Sequence, residues 1–150
     1  MSQSVANVTV HLVFSTKDRR RLLRDQDRGQ FHSYITGILK RKESPLIEIN
    51  SLGDHVHVLY MQSKNHPLAK VVEAVKASTS GWLRRKNRAY SDFAWQAGYA
   101  AFSVSQSHLG AVRAYIQGQA EHHKREDFQT EFRRFCKKNG LPLDERYAWD

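Results

Sequence analysis

Apolar residues in this chain recur with two periods, and the order in which those periods alternate limits the folds open to it. Val8, Val10, Leu12 and Phe14 alternate with Thr9, His11 and Val13, the period of a half-buried strand. Phe31, Tyr34, Ile35, Ile38 and Leu39 then recur at three and four residues, the spacing of one buried helical face. Ser44 and Pro45 close that helix, Leu46 to Asn50 reads as a second strand, and Gly53 with Asp54 marks a turn before a third, His55 to Met61. Pro67 suits the first turn of a second helix, whose apolar face is Leu68, Val71, Val72, Val75, Trp82 and Leu83.

Tyr99 to Val104 reads as a fourth strand, and Ser107 is placed to cap a helix that turns Leu109, Val112 and Ile116 inward. Phe128, Phe132 and Phe135 define a last helix, ended by Gly140 and Pro142. This order predicts an α+β fold, a ferredoxin-like βαββαβ sandwich with an antiparallel sheet and additional C-terminal helices. Helices should cover one sheet face and leave the other free for a ligand or a second subunit. No repeat, low-complexity tract or Pro/Gly-rich linker interrupts the pattern, so residues 1–150 are expected to form a single domain.

Lys and Arg outnumber Asp and Glu by 24 to 15, a net charge of +9, which favours a polyanionic partner. No apolar run approaches the roughly 20 residues of a membrane span. The N-terminus, Met1 to Asn7, has neither the basic start nor the apolar run of a signal peptide. Cys136 is the only cysteine, so no internal disulfide can form, and a reducing, cytoplasmic setting is expected. Basic residues gather at Lys17 with Arg19, Arg20 and Arg21, at Lys40 to Lys42, and at Arg84, Arg85, Lys86 and Arg88. Trp82, Tyr90, Phe93 and Trp95 flank the last group, and interleaved charge and aromatic rings suit nucleic acid with unpaired bases. Solvated helix ends give the same pattern without a ligand.

Two constellations can carry chemistry. His55 and His57 lie two apart on a strand, so their imidazoles share a face while Val56, Val58 and Tyr60 point to the core. Paired neutral imidazoles suit a divalent metal, although two partly exposed strand histidines would look the same. Tyr115 and Gln119 lie four apart on the third helix and share its polar face, with Gln119 offering an amide oxygen to a hard cation. A helical tyrosine that packs and reaches the surface is the alternative. His108 and His122 fall near that face as bystanders, and the His122-His123 pair should diverge by about 100° on a helix. Asp54 reads as a turn residue facing away from His55.

Taken together these residues resemble the single-tyrosine transposases of small bacterial insertion sequences, in the HUH endonuclease superfamily. The stretches that carry the resemblance are His11 to Lys17, Gly53 to His57, Gly98 with Tyr99 through Ser105, Tyr115-Ile116-x-x-Gln119-x-x-His122-His123, Phe128-x-x-Glu131-Phe132, and Asp144 to Trp149. The resemblance implies His55 and His57 as ligands to Mg²⁺ or Mn²⁺, Gln119 as the third, and Tyr115 as the nucleophile that forms a 5′-phosphotyrosine. It also implies a single-stranded DNA substrate with hairpins at the element ends; from the basic groups themselves, Arg19, Arg20, Arg21, Arg84, Arg85 and Lys86 are the expected DNA contacts. It further implies a homodimer in which one subunit's histidines can meet the other's tyrosine helix. A non-enzymatic single-stranded nucleic-acid-binding module of the same fold is the alternative, and it would carry stacking aromatics on the central strands.

Overall fold

The computed structural model describes residues 2–146 and 148–149. Met1 of the N-terminal reading and Tyr147 of the closing stretch lie outside the described residues. Four strands form one antiparallel sheet: β1 (Thr9–Ser15), β2 (Leu46–Ser51), β3 (His55–Met61) and β4 (Ala100–Val104), in the order β2-β3-β1-β4. Two long helices, α1 (Arg28–Arg41) and α2 (Leu68–Lys86), are the crossovers, and Pro67 is the residue at which α2 begins. The C-terminal part adds α3 (Leu109–Gln117), α4 (Gln119–His122) and α5 (Phe128–Lys138). The predicted βαββαβ order is the observed one. Ser107 does not cap α3: it lies in a 3₁₀ turn, Gln106–His108, and its hydroxyl faces the His108 ring. Among the described residues no helix is long and apolar enough to cross a membrane.

The register of β1 on β3 sets Val13 opposite His57 and Ser15 opposite His55, and β2 sets Asn50 opposite His57. Alternation then sorts the side chains. Val10, Leu12, Phe14, Val56, Val58 and Tyr60 form one face, buried against Phe31, Ile35, Leu39, Val71, Val75 and Leu83 of α1 and α2. Each such side chain contributes roughly 1.5–3 kcal/mol by leaving water.

The second face carries His11, Val13, His55 and His57, and it is not free as the sequence predicts. Val13, Ala100 and Phe102 are covered by Phe128, Phe132, Phe135 and Cys136 of α5, and all seven residues of β1 are buried. Apolar Val13 and Phe102 already make that face too greasy to leave in water, and α5 supplies the matching stripe at three- and four-residue spacing.

Candidate active site

The covered face becomes polar at its β2–β3 end. His55 and His57 are buried and project side by side, as the strand period requires, with ring centroids 5.3 Å apart. Each ring is held from behind. The Asp54 carboxylate lies 2.6 Å from Nδ1 of His55, which turns Nε2 into the site. Asp54 therefore orients a histidine rather than simply ending a turn, because the backbone bends just before β3 and swings its carboxylate back. His11, on β1, places its Nε2 2.8 Å from Nδ1 of His57, with the rings stacked at 5.0 Å. Such an outer hydrogen bond fixes which imidazole nitrogen faces forward. Burial, then repulsion from His57, pushes His11 down to about 3, and burial lowers His57 as well. Both rings are thereby kept in the neutral, ligand-competent form.

The tyrosine arrives from α3, which lies across the outer face of β2. Asn50 donates to the Ile116 carbonyl at 2.8 Å, and Gln117 donates to Glu48 at 2.9 Å. Gln117 is thus an anchor of the helix, on a different face from Tyr115. The helix predicted to carry both Tyr115 and Gln119 is interrupted at Gly118. The hydrogen bonds from Gly118 N to Ala114 O and from His122 N to Gly118 O nevertheless bridge the break, at 3.1 and 3.0 Å. The two residues keep a common face, and the fully buried Gln119 carries its Oε1 to 3.3 Å from Nε2 of His55.

At the centre stands a residue to which the sequence reading gave no role. Glu131 of α5 is 0% exposed, and its Oε1 accepts from Nε2 of His57 at 2.8 Å. Its Oε2 accepts from Nε2 of His123 at 3.0 Å and from the Tyr115 hydroxyl. Burial alone would raise this carboxyl, but the hydrogen bonds from His123 and His57 outweigh it and hold Glu131 well below the ordinary carboxylate range. Tyr115 moves the other way: burial, then its hydrogen bond to ionised Glu131, raises the phenol. His123 also enters the site against expectation: it caps α4 in helical geometry and diverges from His122, the two rings standing 5.4 Å apart at 79°, yet its Nε2 still reaches Glu131. His122 lies nearby, its ring 4.9 Å from that of Tyr115, while His108 is exposed and bonds to Ser105.

The donor set fits a divalent cation. One ligand atom each from His55, His57, His123 and Glu131 lies within 4.8 Å of the others, and Gln119 Oε1 borders the group. Three imidazoles suit a borderline metal such as Zn²⁺, while the Glu131 carboxylate and the Gln119 amide oxygen are the donors that also suit Mg²⁺ or Mn²⁺. The basic residues divide between layers. Arg21 packs over Gly53, next to Asp54 and His55, and Arg19 lies 5.6 Å from the Trp149 ring. Arg84, Arg85 and Lys86 end α2 on the opposite side of the sheet, where Arg84 donates to the Phe93 carbonyl and Lys86 bonds to Gln30. An Arg20–Asp92 ion pair of 3.5 Å ties the first stretch to the segment that follows the second.

Comparison with curated proteins finds no match. Among solved structures, a proposed transposase from Deinococcus radiodurans R1 is similar at 21% identity with a TM-score of 0.61, over 79% of this chain and 98% of that one. A REP-associated tyrosine transposase bound to a REP hairpin is similar at 15% identity with a TM-score of 0.62, over 82% of this chain and 74% of that one. At these identities the likeness is one of fold. The sequence itself matches the family described as "Transposase IS200 like" across residues 4–119, a stretch that holds His55, His57, Tyr115 and Gln119. With that match, this chain belongs to the IS200-like transposase family.

Proposed function

We propose that this protein is a metal-dependent single-strand DNA endonuclease and strand transferase, with Tyr115 as nucleophile and His55, His57 and Gln119 as metal ligands. The observation that carries the reading is the meeting of the Tyr115 hydroxyl with the His55–His57 pair around one carboxylate, Glu131. A bound Mg²⁺ or Mn²⁺ would polarise the scissile phosphate, and His123 and Glu131 are within reach to join its ligands.

The remaining chemistry is assigned to side chains. The Tyr115 hydroxyl already donates to Glu131, which orients the phenolic oxygen toward phosphorus, and the phenolic proton leaves to water as the new bond forms. The bond from phosphorus to the 3′ oxygen breaks, its electron pair stays on that oxygen, and water supplies the proton that makes the free 3′-hydroxyl. The product is a 5′-phosphotyrosine, which keeps the phosphodiester energy for attack by another 3′-hydroxyl.

Substrate and assembly follow from the same reading. Single-stranded element ends bearing hairpins are the proposed DNA, with Arg19, Arg20 and Arg21 beside the site and Arg84, Arg85 and Lys86 gripping phosphates farther out. The proposed homodimer carries one complete site per subunit. The rival reading, a non-enzymatic binding module, is disfavoured because the sheet face it would offer to bases lies under α5. The test is incubation with a hairpin-bearing single strand and Mn²⁺, followed by a denaturing gel. A covalent protein–DNA band supports the proposal, and binding without any band over a range of element-end sequences favours the rival.

A further inference from the structure

Two adjacent arginines on α5 diverge. Arg133 pairs with Glu145 at 2.6 Å and lies 5.2 Å from the Trp149 ring, away from the site. Arg134 goes the other way, and its Nη2 donates to the Tyr115 hydroxyl at 2.8 Å. Its guanidinium rests 5.5 Å from the Tyr115 ring and 5.1 Å from that of Phe135. It is held in plane by Glu126, with Nε 3.2 Å from Oε1 and Nη2 3.2 Å from Oε2. The Nη2 atom also lies 3.3 Å from His122.

From this bracket around the tyrosine oxygen we infer that Arg134 is a further catalytic residue, whose guanidinium holds a non-bridging oxygen of the scissile phosphate during the attack by Tyr115. The inference rests on Tyr115 being the nucleophile proposed above. The phenolic hydrogen points at Glu131, which is fully buried, whereas the Arg134 side chain is 43% exposed. The solvent-facing side of the oxygen is therefore the guanidinium's side, and a phosphodiester reaching the nucleophile arrives against it. Among the described residues Nη1 has no protein acceptor, so two N–H groups are available to an incoming anion.

The chemistry asks for such a group. Attack on a phosphodiester concentrates charge on the non-bridging oxygens, and a preorganised planar fork meets them without having to be reoriented. Glu126 supplies that preorganisation. Arg134 makes no bond and moves no proton in the step; it binds the phosphate and steers it onto the phenolic oxygen.

The experiment compares the full chain with R134A, R134K and Tyr115→Phe. It measures single-turnover adduct formation on a hairpin-bearing single strand with Mn²⁺, hairpin affinity and thermal melting. R134A is expected to lose about 10²-fold or more in rate, while hairpin affinity changes by less than about threefold because one phosphate contact among many is lost. Added guanidinium ion should restore part of the R134A rate and leave wild type unchanged. R134K keeps the charge and a partner for Glu126 but loses the fork, so its rate should fall without loss of folding. A rate in R134A within about fivefold of wild type overturns the inference. So does a loss that guanidinium fails to restore and that R134K does not share. If wild type forms no adduct, or Tyr115→Phe still forms one, the nucleophile assignment itself has failed.

Discussion

Asn50 on β2 donates to the carbonyl of Ile116, one residue past the tyrosine, while standing opposite His57 in the strand register. The Asn50 amide, together with the Gln117–Glu48 hydrogen bond, thus ties the end of the nucleophile's helix to the strand beside the histidines. Asn50→Ala should cost about 1 kcal/mol of stability. The larger effect should be on adduct formation, down by as much as about 10²-fold, since misplacing a nucleophile by an ångström is that costly. Urea unfolding and single-turnover kinetics check both numbers, and an unchanged rate would show that the helix is held without Asn50.

Tyr115→Phe removes only the oxygen shared by Glu131 and Arg134. The ring contacts with His122 and Phe135 remain, so the fold and hairpin binding should persist while the covalent band disappears. A band of the same mobility in the variant would assign the nucleophile elsewhere.

The two ends of this site were unequally legible in the sequence. His55 and His57 could be read because a strand of period two needs no tertiary information to put them on one face. Tyr115 and Gln119 could be read for the same reason on a helix, even with the break at Gly118. Glu131 and Arg134 reach the site only because α5 folds back across the sheet, a contact some seventy residues distant from His57. A signal for Glu131 was nevertheless present: it sits within the Phe128, Phe132 and Phe135 stripe, where an uncompensated carboxylate would be costly. His11 carried a similar signal, a polar residue on β1 among side chains that all turn out buried.

Metal binding should depend on the same buried group. His55→Ala, His57→Ala and Glu131→Gln should each weaken Mn²⁺ affinity, by roughly 10- to 100-fold where an outer hydrogen bond is lost and by more where a ligand is lost. Excess EDTA should stop adduct formation by wild type. Calorimetric titration with Mn²⁺ reads the affinities, and full cleavage in EDTA would remove the metal from the mechanism.

Acid should unfold this protein from an early point. His11 is held at about 3 when folded, against about 6.5 in an unfolded chain, and His57 is lowered too. Between those values the unfolded state binds more protons, so stability falls as pH drops below about 6.5, by up to about 1.4 kcal/mol per pH unit for each such group. Glu131 is depressed instead, so its contribution is intact above about 4.5 and is lost only below that. Urea midpoints measured in EDTA at pH about 7.5, 6.5 and 5.5 should decline, and His11→Asn should flatten the decline. Midpoints that stay level across that range would contradict the assignment of neutral buried rings.

The family resemblance implies a homodimer in which one subunit's histidines can meet the other's tyrosine helix, so that the polar Tyr115 face would find its partner across the dimer. That partner is present within the chain, because Glu131 and Arg134 of α5 occupy the face, and Asn50 and Glu48 anchor α3 to its own sheet. Leaving this position would take the Tyr115 hydroxyl from the buried Glu131 and break the Asn50 and Glu48 contacts that hold α3, both costly. A mixture of His57→Ala and Tyr115→Phe chains should therefore remain inactive even after subunit exchange. Within each chain the intact histidines stay beside the phenylalanine, and the intact tyrosine stays beside the alanine. Recovery of cleavage in the mixture, dependent on total protein concentration, would mean that the helix crosses between subunits.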